Sequence, residues 1–250
     1  MARKFAVLGS PISHSLSPRI HRLILSHLEP QASYESFEVS IDLAQFLEVK
    51  LDFSGFSLTM PLKDQAFQLA ASRTEIANQT QSVNTLLRTP TGLAGFNTDV
   101  FGIQRAIGST PRTVAVLGSG ATARSALAAF AGSSKAIYAR NSAAAAVLAD
   151  KFQASMVPLD VALEAEVVIS TLPAGVLPEL IMGLRQPITL LDVAYTNPQI
   201  PAERYVSGLA MLIHQAVAQQ RIFHFGNEET LLKNEAELVE ELFLDLNVAK

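Results

Sequence analysis

The stretch Thr113-Val114-Ala115-Val116-Leu117-Gly118-Ser119-Gly120-Ala121-Thr122-Ala123 decides the fold. A β-branched apolar run of strand type breaks at two glycines one residue apart. A helix of small residues, Ala121 to Phe130, follows at once. Gly118, Gly120 and Ala123 satisfy the pattern G-x-G-x-x-G/A, and each position has a physical reason. The first glycine permits a tight turn and the second lets backbone approach a pyrophosphate. The small third residue lets helix and strand pack closely, and the helix N-terminus meets the negative charge. Glycine turns between strands and helices are common, so the motif takes its weight from its surroundings.

Those surroundings alternate. Downstream, Ala136 to Ala139 reads as a strand, the alanine-rich Ser142 to Phe152 as a helix, and Val167 to Ser170 and Thr189 to Val193 as strands. Upstream, Lys4 to Leu8 is a buried strand closed by Gly9-Ser10-Pro11. Pro18 to Leu28 has helical spacing, with Ser17 as N-cap and Pro18 at the first helical position. Tyr34 to Val39 and Gly55 to Leu58 read as strands. Leu43 to Leu51, with Asp42 as cap, and Leu62 to Ala71 read as helices. Val83 to Arg88 and Leu93 to Phe96 are strands either side of the turn Thr89-Pro90-Thr91-Gly92. Val100 to Ile107 links the two halves, and long helical patterns, Leu209 to Phe223 and Glu228 to Leu246, finish the chain. The cluster Glu235, Glu237, Glu240 and Glu241 reads as a solvated helix face. The expected class is α/β in two domains, with mainly parallel sheets covered on both faces.

Composition narrows the function. The 250 residues are 49% hydrophobic and 17% charged, enough apolar material for a sizeable core. A net charge of -4 offers no general attraction to nucleic acid or to anionic membrane. With no cysteine there is no disulfide framework, thiolate nucleophile or Cys-type metal site. His14, His21 and His214 show no metal-ligand spacing and read as structural or incidental. The apolar run after Met1-Ala2-Arg3-Lys4 stops at Gly9, too short for a signal-peptide core, and nothing later reaches a membrane span. The expectation is a cytoplasmic protein with a small-molecule partner, no metal, and neither nucleic acid nor membrane as partner.

The strand after the glycine motif bears on the nucleotide. An Asp or Glu about 20 residues on would bind the ribose 2′-hydroxyl of NAD. Here that strand ends Tyr138-Ala139-Arg140-Asn141-Ser142, with no acid. The planar fork of Arg140 can pair with the 2′-phosphate of NADP, with Asn141 and Ser142 adding donors. The plainer alternative makes Arg140 a surface charge at a strand end.

Polar residues also collect where apolar runs give out: Ser13-His14-Ser15-Leu16-Ser17-Pro18, Thr59-Met60-Pro61-Leu62-Lys63, Ser82-Val83-Asn84-Thr85 and Asn97-Thr98-Asp99. Each reads as following a strand, and parallel strands bring their carboxyl ends to one edge of the sheet. There Lys63 and Asp99 can hold a hydroxyl and relay its proton.

In this order, and over nearly the whole chain, these segments resemble the shikimate dehydrogenase family. The resemblance implies a substrate domain at residues 1–99, completed by 209–250, and a Rossmann-type NADP-binding domain at 100–208. It implies reversible reduction of 3-dehydroshikimate to shikimate with NADPH, in aromatic amino-acid precursor synthesis, by a monomer or homodimer. By similarity, Ser15, Ser17 and Tyr195 bind the substrate carboxylate. Thr59, Lys63, Asn84, Asp99 and Gln215 contact the ring hydroxyls, with Lys63 and Asp99 as catalytic pair. Gly118, Ser119, Gly120, Ala121, Thr122, Ala123, Arg140, Asn141, Ser142, Thr171 and Met211 bind the cofactor. On periodicity alone Met211 is core packing, Gln215 an exposed helix residue and Ser17 only a cap. The chain departs from the family around Tyr195-Thr196-Asn197-Pro198-Gln199-Ile200-Pro201, where Ile200 stands at a usual threonine position, and Val193 to Gly208 is short. Alternatives are a quinate/shikimate enzyme using NAD and a non-catalytic cofactor sensor on the same fold.

Overall fold

The structure is a computed structural model that describes residues 2–40, 42–195, 200 and 202–248. In chain order its elements are β1 (Lys4–Gly9), α1 (Ser17–Leu28), β2 (Ser33–Glu38), α2 (Leu43–Val49), β3 (Gly55–Leu58), α3 (Lys63–Leu69), β4 (Ser72–Arg73), α4 (Glu75–Thr80), β5 (Thr85–Thr89) and β6 (Gly92–Phe96). There follow α5 (Asp99–Ile107), β7 (Thr113–Leu117), α6 (Ala121–Ala129), β8 (Ser134–Tyr138), α7 (Ser142–Phe152), β9 (Ala154–Met156), α8 (Leu159–Ala162) and β10 (Val167–Ser170). The last are α9 (Val176–Leu180), β11 (Thr189–Asp192), β12 (Arg204–Ser207), α10 (Gly208–Phe225) and α11 (Glu235–Asp245). The backbone separates into two units, one of residues 1–98 with 212–247 and one of residues 99–211 with 248–250.

The first unit is a six-stranded sheet in the order β2-β1-β3-β5-β6-β4. β1 pairs in parallel with β2 and β3, and β4 with β6, while β5 runs antiparallel to both of its neighbours. Helices cover both faces of β1, which is why it reads as an unbroken apolar run. Phe5 and Val7 pack with Ile12, Leu25, Tyr34 and Phe223 on one face. Ala6 and Leu8 pack with Leu43, Leu47, Leu62 and Ala66 on the other. Each large side chain so buried contributes about 1.5–3 kcal/mol, and Phe5 stacks on Phe223 at 4.6 Å.

The second unit is all parallel, in the order β12-β11-β10-β7-β8-β9. Counted from β7, this is the doubly wound order 3-2-1-4-5-6, whose switch point lies between β7 and β10. Ala115 and Leu117 pack toward Ala162, Leu163, Leu177 and Ile181, while Ala123, Ala126 and Leu127 of α6 are buried.

Several expectations need correction. Ser17 is the first residue of α1 and makes no cap; Leu16 holds the cap position, because Ile20 N–H bonds back to Leu16 O at 3.1 Å. Ser15 Oγ accepts from Ser17 N–H at 3.3 Å instead. Asn84 precedes β5 rather than ending a strand. The last helix starts at Glu235, not Glu228: Gly226 adopts a φ of +74°, and Asn227 Oδ1 accepts from Glu229 and Thr230 N–H at 3.0 and 2.9 Å. Glu235 does not join Glu237, Glu240 and Glu241 in water; it clasps the buried guanidinium of Arg221. The link at Val100 to Ile107 is itself the helix α5, and β4, α4, β9, α8, α9 and β12 are additions to the sequence reading.

His21 is fully buried, stacked on Tyr34 with centroids 4.1 Å apart and 4° between planes. Burial lowers its pKa from 6.5 to about 3. Between those values the unfolded chain binds the proton that the folded one refuses, so this contribution is complete above about pH 6.5 and is lost as pH falls toward 3. Glu228 opposes it, since burial pushes its carboxyl up to about 7 and stability is lost as pH rises through that value. Comparing the parent with His21→Gln isolates the histidine. The parent's advantage in denaturant melts is expected to shrink by up to about 1.4 kcal/mol per pH unit below 6.5. A difference independent of pH between 7 and 5 contradicts this.

Candidate functional site

Strand direction gathers the polar termini of the first unit at one edge. β1 runs out at Gly9 into the segment carrying Ser15 and the start of α1. β3 runs out at Leu58, Thr59 N–H bonds Leu8 O at 2.9 Å, and α3 opens at Lys63, half-buried. Because β5 is antiparallel, its beginning lies where β1, β3 and β6 end. Asn84 is bonded there on both sides: Leu58 N–H donates to Asn84 O at 2.7 Å, and Asn84 N–H to Phe96 O at 3.0 Å.

The side chains then lock together. Asn84, Thr98 and Gln215 are all buried. Asn84 Oδ1 accepts from Thr98 N–H at 2.9 Å, and Asn84 Nδ2 donates to Thr98 Oγ1 at 2.9 Å and to Gln215 Oε1 at 3.4 Å. Gln215 Nε2 donates to Leu212 O at 3.0 Å, one turn back along α10. Asp99, next in the chain after Thr98, opens α5 and is 4% exposed. Ser15 is half-buried and Ser17 buried at the start of α1. Ser15 Oγ accepts from Ser17 N–H and retains its own proton to donate.

In the second unit, the glycine turn stands at the switch point. Gly118 adopts a φ of +119°, and a Cβ there would lie 2.3 Å from Thr171 Oγ1. Thr171 donates from both N–H and Oγ1 to Leu117 O, each at 2.9 Å, which fixes the loop after β10 against the one after β7. Gly120 is different, since a Cβ there would meet nothing within 4 Å. The protein's own packing does not require glycine at 120, so the open space suits an approaching ligand. Ser119 precedes it, Ala121 and Thr122 start α6 with no side-chain cap, and Ala123 is fully buried. These residues fit a dinucleotide phosphate on the helix N-terminus.

Arg140 is exposed beyond β8. Asn141 caps α7, its Oδ1 accepting from Ala144 N–H at 3.0 Å, so only Nδ2 remains to donate outward; Ser142 is the first helical residue. Tyr195 is half-buried, and burial pushes its phenol above the ordinary value. Thr196 to Gln199 and Pro201, in the loop that departs from the family, lie outside the described residues, while Ile200 is buried. Met211 is buried in the first turn of α10. Among the described residues no three His, Asp or Glu gather as a metal site, and no helix is long and apolar enough to cross a membrane.

Sequence reading passed over Thr85, Thr98 and Gln219. Gln219 carried a signal: it lies four residues after Gln215, on the same face of a helix. Thr85 and Thr98 lie in the polar segments next to Asn84 and Asp99, but their roles rest on contact with Asn84, which no local pattern shows.

Strand order and glycine turn define a doubly wound dinucleotide-binding unit, in a chain that also carries a mixed-sheet unit with a polar edge. Residues 7–86 match the family model of the shikimate dehydrogenase substrate binding domain. The shikimate dehydrogenase (NADP(+)) of Thermus thermophilus is 35% identical over 196 residues, covering 70% of this chain and 74% of that protein. The crystal structure of Mycobacterium tuberculosis shikimate dehydrogenase matches with a TM-score of 0.84 at 35% identity, over 98% of this chain and 99% of that one. A Thermus thermophilus shikimate 5-dehydrogenase in complex with NADP(H) and shikimate matches with a TM-score of 0.81 at 29% identity, over 96% and 98%. The chain belongs to the shikimate dehydrogenase family.

Proposed function

We propose that this protein catalyses the reversible NADPH-dependent reduction of 3-dehydroshikimate to shikimate. The observation that carries the reading is the buried Asn84–Thr98–Gln215 group at the polar edge of a family member's first sheet. NADPH, when bound, supplies the hydride. Lys63 delivers the proton to the carbonyl oxygen as it becomes a hydroxyl, and takes it back in the reverse direction. Asp99 holds that hydroxyl as an acceptor, and Thr59, Asn84 and Gln215 take the others. Ser15, Ser17 and Tyr195 donate to the carboxylate. Gly118 to Ala123, Thr171 and Met211 line the nucleotide, with Arg140, Asn141 and Ser142 at its 2′-phosphate. The partners are then small molecules, the chain a monomer or homodimer, and its setting the cytoplasm.

Turnover of shikimate and of quinate, each with NADP and NAD, tests the reading. Shikimate with NADP is expected to give the highest kcat/KM. A preference for quinate with NAD favours the alternative enzyme, and no turnover with any pair favours a cofactor sensor.

A prediction for the carboxylate site follows from the capping geometry. Ser17 makes no cap, so Ser17→Ala is expected to weaken shikimate binding by roughly 1.5–3 kcal/mol, the value of a hydrogen bond to a charged group. Its melting temperature should barely move. Ser15→Ala removes both a donor and the acceptor for Ser17 N–H, and should lower affinity and stability together. Normal binding by both variants in calorimetry puts the carboxylate elsewhere.

A further inference from the structure

Behind Asn84 the hydrogen bonds form a chain with a single direction. Tyr34 OH donates to Ser57 Oγ at 2.7 Å, and Ser57 Oγ donates to Gln219 Oε1 at 2.8 Å. His21 Nε2 lies 3.1 Å from the same Gln219 oxygen, and Gln220 Nε2 lies 2.8 Å from His21 Nδ1. The contacts are satisfied when neutral His21 carries its proton on Nε2 and accepts at Nδ1. Two donors thus meet Gln219 Oε1, which turns its amide nitrogen the other way. Gln219 Nε2 donates to Asn84 O and to Thr85 Oγ1, both at 3.0 Å. Thr85 Oγ1, having accepted, donates to Asn84 Oδ1 at 2.8 Å. Asn84 Nδ2 then donates to Thr98 Oγ1 at 2.9 Å and to Gln215 Oε1 at 3.4 Å, and the Thr98 hydroxyl has Asn84 Oδ1 at 3.3 Å and Gln215 Oε1 at 3.4 Å as acceptors.

We infer that Gln219 and Thr85 are positioning residues that set the amide polarity of Asn84 and Gln215, and so decide which substrate hydroxyls are met by donors and which by acceptors. The inference rests on the functional reading above. Neither residue is assigned contact with substrate, and each acts through Asn84. Both are buried, Gln219 at 1% exposure and Thr85 at 0%, so an unmatched donor or acceptor in the chain finds no water to replace its partner. A nonpolar stabilising role would be filled equally well by an isosteric apolar side chain. A polarity-setting role is not.

The test is Thr85→Val, which removes the relay hydroxyl at nearly constant volume, beside Thr85→Ser, which keeps it. Steady-state kinetics of shikimate oxidation with NADP are the readout. The expected result is a rise in KM for shikimate of about fivefold or more in Thr85→Val, with kcat and KM for NADP within about twofold, and a near-parent KM in Thr85→Ser. A parent-like KM for shikimate in Thr85→Val overturns the inference, as does an equal rise in both variants. If Thr85→Val does not yield folded protein, Gln219→Glu replaces the two-proton donor with an acceptor and must raise KM for shikimate selectively; parent-like KM there overturns the inference too. A parent that neither oxidises nor binds shikimate overturns the functional reading, and this inference with it.

Discussion

Lys63→Ala is expected to lower kcat for shikimate oxidation by a factor of about 10² or more, with a much smaller change in KM. Lys63 sits half-buried where α3 opens, one loop beyond the end of β3. Its main-chain carbonyl accepts from Val83 N–H at 3.2 Å, which ties the start of α3 to the residue before Asn84. The backbone beneath the ammonium is therefore fixed by bonds that the alanine variant retains. What the variant loses is the proton carrier. A group used only for binding would show the opposite pattern, a raised KM with kcat preserved. That outcome, measured by steady-state kinetics in both directions, removes Lys63 from proton transfer.

Arg140→Ala is expected to raise KM for NADPH strongly and leave KM for NADH nearly unchanged. A charged hydrogen bond contributes roughly 1.5–3 kcal/mol, or about one to two powers of ten in kcat/KM. Nothing acidic stands at the end of β8 to hold an NAD ribose, and Ala143 to Ala146 supply no second base. The structure sharpens the argument, because Asn141 spends its oxygen on the cap of α7 and can contribute only through Nδ2. The guanidinium is exposed, so the discrimination should weaken as salt rises. Equal loss of both nucleotides would make Arg140 structural, and a parent that prefers NADH would reject the assignment outright.

The alternation of strands and helices was legible because it is local: a period of two or 3.6 residues, closed by a cap or a proline. Gly55–Leu58, Thr113–Leu117, Ser142–Phe152 and Val167–Ser170 fall where the residue pattern puts them. Asn84 shows where locality ends. Its segment ends in polar residues like the others, yet it stands just before a strand, and only the reversal of β5 between β3 and β6 brings it to the same edge. Glu235 is a second case. Nearness in sequence groups it with Glu237, Glu240 and Glu241, although the helical period sets it on the opposite side, and its partner Arg221 lies fourteen residues back on another helix. The start of α11 had a usable signal in Gly226-Asn227, a helix stop followed by a turn, which the apolar periodicity after Glu228 masked. α8 and α9, of four and five residues, are too short to carry a period at all.

The first unit is discontinuous in the chain, and this bears on the order in which a ribosome releases it. Phe5 and Arg3 emerge well before their partner: the Phe223 ring that stacks on Phe5, and the Phe223 carbonyl that accepts from Arg3, arrive 218 and 220 residues later. Residues 99–211 make up nearly all of the second unit, and they emerge without interruption in between. The nucleotide-binding half therefore has all its strands outside the ribosome while the other half still lacks the helix that closes one face of β1. Until α10 is made, the Phe5 and Val7 face of the earliest strand stays partly uncovered, with long-range contacts still unpaid in chain entropy. A helix late in the chain is thus what finishes a sheet whose strands all lie between Lys4 and Phe96.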